Sequence, residues 1–257
     1  MAGNELKVAE FIFRNLGKIE LPHLGTLSSI GAPMTEPLEF YDLKSASDLR
    51  LITEADSKKK ADFYLNEIGV SVKQKGPSFA FNRLQRANII KVFSLIGIDD
   101  AEYKLQQLDL EVRRFHEGLL QRRSRPWNNF FDERSFKILL DFLMMKGSPN
   151  LGLSPHPAKL ILEAPAEWID VDNISIYTFD EYFEHYKASL RIAIRRQWIG
   201  QNSHHEHRRA SGLVKKEGNA PWVYDEVAGT PRSGWMPGFP ENDKKTVYFL
   251  MIEKGSK

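Results

Sequence analysis

The chain contains no cysteine in 257 residues, which excludes disulfides, cysteine-ligated zinc sites and a thiolate nucleophile. Long apolar runs are also missing, and nothing approaches the ~20 residues that a helical membrane span needs. A dominant charge is absent too: 36 Lys and Arg against 34 Asp and Glu leave a formal net charge of +2. A nucleic-acid partner fits that balance only if the cations gather on one surface. There is no internal repeat and no low-complexity segment. The opening residues, MAGNELKVAEF, lack the architecture of a secretory leader, so a cytoplasmic protein with no membrane partner is expected.

What remains is ordinary for a globular protein, with 42% hydrophobic and 27% charged residues. The length allows a sizeable core in one large domain or two small ones. Asn4 can cap a helix running to about Leu16, where Gly17 ends it. Residues 18–47 read as loops with short extended pieces. Asp48 to Ala55 alternates and predicts a strand. Helical spacing returns after Ser78, and Asp99 with Glu102 has the spacing of a capping box for a second helix reaching about Arg123. Arg122, Arg123 and Arg125 near its end could touch phosphates or simply face solvent. A third helix is expected over Asp132 to Met145, and Lys159 to Glu163 reads as a buried strand. Thr178 and Glu181 mark another capping box, and Leu190 to Trp198 and Thr246 to Glu253 read as strands. The class implied is mixed α/β with a central sheet.

The most informative stretch is Lys58 to Arg86. Ala61 to Leu65 is a β-rich run, Asn66-Glu67-Ile68-Gly69 carries turn residues, and Val70 to Lys73 alternates, so a hairpin is predicted. In such a hairpin Asp62 and Lys73 can reach the same sheet edge. A carboxylate beside an ammonium is a minimal arrangement for metal-assisted phosphodiester hydrolysis. Both have plain structural alternatives: a solvated charge at a strand start for Asp62, and an edge-strand charge that deters aggregation for Lys73.

At these positions the chain resembles the PD-(D/E)XK nuclease superfamily, and within it the type II restriction endonucleases. The match is D-x8-S-x-K, formed by Asp62, Ser71 and Lys73. The resemblance implies that Asp62 ligates the metal, that the carbonyl of Val72 is a further ligand, and that Lys73 is the catalytic lysine. Ser71 stands where the family pattern has its second acid. Family members with a serine there supply the displaced acid from the following helix, a window that holds Gln85 in this chain. Glu10, on the first helix, is a further candidate, with a solvated helix charge as its alternative.

The implied fold is a restriction-endonuclease-like core, a mixed central sheet flanked by helices, with a C-terminal DNA-recognition extension. The expectation is one domain over residues 1–257, its catalytic core centred on 48–97 and its recognition elements within 190–240. The implied cofactor is Mg2+. The implied partner is double-stranded DNA, and a homodimer is possible within the family. The implied activity is site-specific hydrolysis of DNA. The alternatives are a repair or resolvase nuclease of the same superfamily, or a DNA-binding protein that has lost catalysis.

Two basic segments supply the expected DNA contacts. The first follows the hairpin and holds Lys75, Ser78, Asn82, Arg83 and Arg86, a mixture suited to phosphates. The second holds Arg195, Arg196, Gln197, Gln201, Asn202, His204, His205, His207, Arg208 and Arg209. Arginine, glutamine and asparagine are the side chains that read base edges. The three histidines could instead bind a metal or belong to an HNH-type nuclease, and a flexible polar loop is the plain alternative for the segment. The Gly/Pro-rich stretch Gly229 to Pro240 is long enough to be either a ligand-wrapping or a surface loop.

Overall fold

The computed structural model describes residues 4–35, 39–53, 58–75 and 83–255. In chain order the helices are α1 (Glu5–Arg14), α2 (Arg86–Ile96), α3 (Ala101–His116), α4 (Glu133–Asp141), α5 (Phe179–Tyr186) and α6 (His204–Val214). The strands of the two larger sheets are β1 (Ile30–Pro33), β2 (Phe40–Asp42), β3 (Phe63–Leu65), β4 (Ile68–Gln74), β5 (Ser124–Pro126), β6 (Leu160–Ala164), β7 (Ser175–Thr178), β8 (Leu190–Ile199), β9 (Val223–Tyr224) and β10 (Lys245–Lys254). The chain divides into two compact units, residues 1–79, 139–188 and 256–257 against residues 80–138 and 189–255. The segment 48–97 therefore contributes to both.

The first unit is built on a mixed sheet in the order β7-β6-β4-β3-β1-β2. Strands β4 and β6 run parallel, and every other neighbouring pair in this sheet is antiparallel. One face is apolar: Phe63, Leu65, Val70, Val72, Leu160 and Leu162 pack with Val8, Ala9 and Ile12 of α1. Alternation along each strand then places Ser71, Lys73 and Glu163 on the opposite face. Asn4 holds the N-cap position of α1 without a side-chain cap bond. Its Nδ2 instead donates to Ala164 O at 3.0 Å and Pro165 O at 2.9 Å, tying the helix start to the end of β6.

The β3–β4 hairpin closes on Asn66 and Glu67, whose φ angles of 45° and 66° are both left-handed. Two consecutive residues in that region match the right-handed twist of a tight hairpin. Asn66 Oδ1 also accepts from Ser28 N–H at 2.8 Å and Ser29 N–H at 3.2 Å, so the turn is pinned to the loop before β1. Gly69, the second residue of β4, lies at a point where a side chain has no room. A Cβ there would sit 2.6 Å from the carbonyl oxygen of Pro157.

The strand expected over residues 48–55 is a correction: Ala46–Thr53 winds as a 3₁₀ helix. Asp48 Oδ2 accepts from Lys44 N–H at 2.9 Å and Ser45 N–H at 3.0 Å, which curls the chain before any strand can start. Leu49 and Ile52, three residues apart, share the inward face that a three-residue turn provides. Glu54 and Ala55 lie outside the described residues. Residues 18–47 hold short extended pieces as expected, two of which, β1 and β2, join the main sheet.

The second unit carries an antiparallel sheet in the order β9-β10-β8-β5. Strands β8 and β10 pair from Leu190↔Lys254 to Ile199↔Lys245. Ala210 and Leu213 of α6 pack on Val247 and Phe249 of β10. Here α3 is shorter than expected, ending at His116, and Gly118 at φ 77° turns the chain away. Asp100 is its N-cap and makes no side-chain bond, so the Asp99–Glu102 box does not form. The Thr178–Glu181 box does form, at the start of α5 in the first unit. The polar segment after Gln201 is not a loop but the start of α6, with Ser203 Oγ accepting from Glu206 N–H at 3.4 Å. Among the described residues no helix is long and apolar enough to cross a membrane.

Candidate active site

Asp62 sits just before β3, and Ser71, Val72 and Lys73 follow one another on β4. Pairing of Phe63 with Val70 brings the start of the first strand beside the middle of the second. Val72 N–H donates to Asp62 Oδ2 at 2.6 Å, and Ser71 Oγ donates to the same oxygen at 3.4 Å. Lys73 Nζ in turn donates to Ser71 Oγ at 2.7 Å and to Val72 O at 3.0 Å. The hairpin thus gathers an acid, a hydroxyl, a carbonyl and an ammonium into one hydrogen-bonded cluster.

Burial pushes the Asp62 carboxyl above its ordinary value. The Lys73 ammonium and the Val72 N–H pull the other way, while Glu5 of α1 adds to the push. A second lysine joins the cluster electrostatically. Burial and the Lys73 charge bring the Lys60 ammonium down to about 8, with Asp62 opposing. Lys60 Nζ donates to Leu143 O at 2.7 Å.

The parallel pairing of β6 with β4 adds one more group. Glu163 is the register partner of Lys73, so the two side chains leave the sheet on the same face. Glu163 has no exposed surface, and its Oε2 accepts from Tyr186 Oη. The negative charge of Glu163 and loss of hydration raise the pKa of Tyr182 and Tyr186, burial being the larger cause for both. A carboxyl enclosed with two tyrosines on the face that carries Lys73 is a fixed group rather than a mobile surface one.

Glu5, Lys60 and Glu163 were not among the residues singled out from the sequence. Lys60 was visible only as part of a lysine run. Glu163 carried a signal, being a lone acid in the apolar strand Leu160-Ile161-Leu162-Glu163-Ala164. Glu10 was the expected α1 carboxylate, whereas the one whose charge reaches Asp62 is Glu5. Gln85 belongs to the second unit, at the N-cap of α2, where its Oε1 accepts from Lys216 Nζ at 2.8 Å.

As for a metal, no group of three or more His, Asp or Glu side chains among the described residues could hold an ion. This includes His204, His205 and His207. Magnesium asks for less than that, since it binds through one or two carboxylates and completes its shell with water and substrate phosphate. Asp62, with its charge disfavoured by burial, fits such a partial site. The Val72 carbonyl is occupied by the Lys73 ammonium.

The residues expected at DNA fall into three groups. Ser78 and Asn82 lie outside the described residues. Lys75, Arg86 and Arg196 are engaged internally. Lys75 Nζ donates to Asn173 O at 2.6 Å, Arg86 forks onto Asp109 at 2.8 and 2.7 Å, and Arg196 lies 4.4 Å over the Phe115 ring. Arg83 sits 4.6 Å over Phe249. Arg195 is ion-paired with Glu253, and Gln197 Nε2 donates to Glu206 Oε2. Gln201 is buried. On α6 and just before it, Asn202, His204, His205, Arg208 and Arg209 are exposed, and Arg209 bonds Glu206 at 2.8 Å. His207 Nδ1 accepts from Gly200 N–H at 3.1 Å.

No family model matches the chain, and no curated protein matches it. Among solved structures, the chain is similar to the crystal structure of restriction endonuclease MspI in complex with its cognate DNA. That likeness has a TM-score of 0.25 and 13% identity, and covers 73% of this chain. The chain spans 60% of the length of that enzyme.

Proposed function

We propose that the chain is a magnesium-dependent endonuclease that hydrolyses phosphodiester bonds of double-stranded DNA, with its active site at the β3–β4 hairpin. The observation that supports this reading is the shared hydrogen-bonded cluster of Asp62, Ser71 and Lys73 on adjacent strands. Asp62 would hold the ion together with the substrate phosphate. A bound divalent ion lowers the pKa of water and neutralises charge on the phosphate.

The protein's own part is charge placement. Lys73 presents an ammonium beside the Asp62 carboxylate, where it stabilises negative charge gathering on the attacked phosphate. Ser71, fixed by burial, holds the lysine to one rotamer. Glu163 positions Lys73 from the neighbouring strand by keeping a countercharge on the same face. Glu5 adds negative potential at Asp62, which favours a cation there.

The test is digestion of a long mixed-sequence DNA with and without magnesium. Discrete bands are the expected result and identify a sequence-specific enzyme, while a smear marks a non-specific nuclease. Intact DNA in the presence of magnesium overturns the reading and leaves a DNA-binding protein as the alternative.

A further inference from the structure

The second unit holds a cleft of about 600 Å³. Its wall includes Arg123, Arg195, Arg232, Gln197 and Gln201. Arg196 and one carboxylate, Glu206, line it as well, so four guanidiniums face a single acid in the wall. Arg195 has its pair in Glu253, yet burial and the neighbouring guanidiniums of Arg123, Arg83 and Arg232 all weigh against its positive charge. Arg123 and Arg232 are exposed, and neither guanidinium has a hydrogen-bond or ion-pair partner among the described residues. An array of this kind is completed by an anion, and guanidinium forks match phosphate oxygens.

The amides point to more than an anion. Gln197 and Gln201 are 3% and 5% exposed. Gln197 Nε2 donates to the Glu206 carboxylate, which fixes the orientation of that amide because a carboxylate only accepts. Its Oε1 is left as a buried acceptor without a partner, and Gln201 Nε2 as a buried donor without one. Such groups are costly unless something completes them. One acceptor and one donor in the wall match a base edge that offers one donor and one acceptor. In the major groove that is the pattern of adenine, whose N6 donates and N7 accepts, while guanine offers two acceptors there.

We propose that this cleft takes one adenine nucleotide, its phosphate against Arg123, Arg195 and Arg232 and its base edge against Gln197 and Gln201. The nucleotide can come from a DNA strand, in which case the proposal rests on the nuclease reading and names one base it contacts, or from the free pool.

The experiment uses the full chain without divalent metal. Calorimetry with deoxyadenosine monophosphate, the other three deoxynucleoside monophosphates and inorganic phosphate tests the pocket itself. Fluorescence anisotropy of a labelled adenine-containing duplex, titrated with salt, tests the DNA source. R123A and R232A are surface changes that leave folding intact. Each is expected to weaken duplex binding and to lower the slope of log affinity against log salt by about one. Q201L is expected to weaken binding of the adenine ligand about tenfold or more with no change in that slope.

Phosphate binding as tightly as the adenine nucleotide, or equal binding of all four nucleotides, overturns the base assignment. Wild-type affinity and salt slope in both arginine variants, for nucleotide and duplex alike, overturn the site. If those variants behave as wild type while the protein still cuts DNA, the cleft fails and the nuclease reading stands. If the free nucleotide binds and duplex does not, the cleft stands and the DNA reading fails.

Discussion

Asp62 and Lys73 are joined through a single hydroxyl: Ser71 Oγ donates to the carboxylate at 3.4 Å and accepts from the ammonium at 2.7 Å. The bridge sets the spacing of the two charges without neutralising either by direct contact. Lys73→Ala is expected to lower DNA cleavage at least ~100-fold, the usual cost of removing one charge-stabilising donor. Duplex affinity measured in calcium should stay near wild type. Asp62→Ala should lose cleavage as well, and should also lose the rise in melting temperature that magnesium is expected to give the wild-type protein. Cleavage by Lys73→Ala at the wild-type rate would remove the hairpin from the active site.

Gly69 controls how closely that hairpin approaches the chain at Pro157. The 2.6 Å approach of an added Cβ to a backbone oxygen cannot be relieved by turning a side chain. Gly69→Ala is expected to destabilise the fold by about 1–3 kcal/mol, the range for overpacking. A urea melt should show the lower midpoint with an unchanged slope.

Asp109 ties the second unit together. It takes both arms of Arg86 and accepts from Trp222 Nε1 at 2.7 Å. Asp109→Ala strands a half-buried guanidinium and the indole of a fully buried tryptophan. The expected loss is about 3 kcal/mol, typical of breaking one side of such a pair. A loss below about 0.5 kcal/mol, as for a surface residue, would show that the pair is solvated in solution.

Much of the fold could be read from local pattern. The hairpin was legible because Asn66-Glu67 interrupts a β-rich run and an alternating one, β8 was legible from alternation, and β6 and β10 from their apolar residues. The capping box at Thr178 was found by the same spacing that misled at Asp99. The difference is that Asp100 adopts a left-handed φ of 54° and takes the cap position itself. The Asp48 strand failed because a side-chain-to-backbone bond outweighed alternation in so short a run. At the candidate site, Asp62, Ser71 and Lys73 are close in sequence and could be paired by hairpin logic. Glu163 comes from a strand roughly ninety residues later in a parallel pairing, and no local spacing reports such a register. Glu5 is near Asp62 only because α1 packs on the sheet. Tertiary neighbours of this kind are invisible to motif spacing.

His116 offers a pH test away from the hairpin. Its ring stacks on Tyr224 at 3.8 Å, and its Nδ1 meets Tyr248 Oη at 3.1 Å. Burial holds its pKa below the ordinary 6.5, the Arg196 charge acts in the same direction, and Glu226 opposes both. A base with a depressed folded pKa takes up its proton first in the unfolded chain. Stability is therefore expected to fall as pH drops from about 7 through the unfolded value near 6.5. His116→Gln should flatten that acid limb. An equally steep decline in the variant between pH 7 and 5 would assign the pH dependence to other groups.

Two residues compete for the place of the second acid, and they make opposite predictions. The family resemblance points to Gln85, whose oxygen is engaged by Lys216 in the second unit. The sheet instead sets Glu163 beside Lys73. If the Glu163 carboxyl positions the lysine, Glu163→Gln should lower kcat about tenfold or more while leaving KM and duplex affinity in calcium near wild type. The isosteric amide still accepts from Tyr186, so a melting curve close to wild type should accompany the lost activity. Gln85→Ala should then cost less than about twofold in kcat, since its oxygen is already engaged by Lys216. The reverse pattern, with Gln85→Ala crippled and Glu163→Gln active, would return the second oxygen ligand to α2 and make Glu163 a purely structural acid held by its tyrosines.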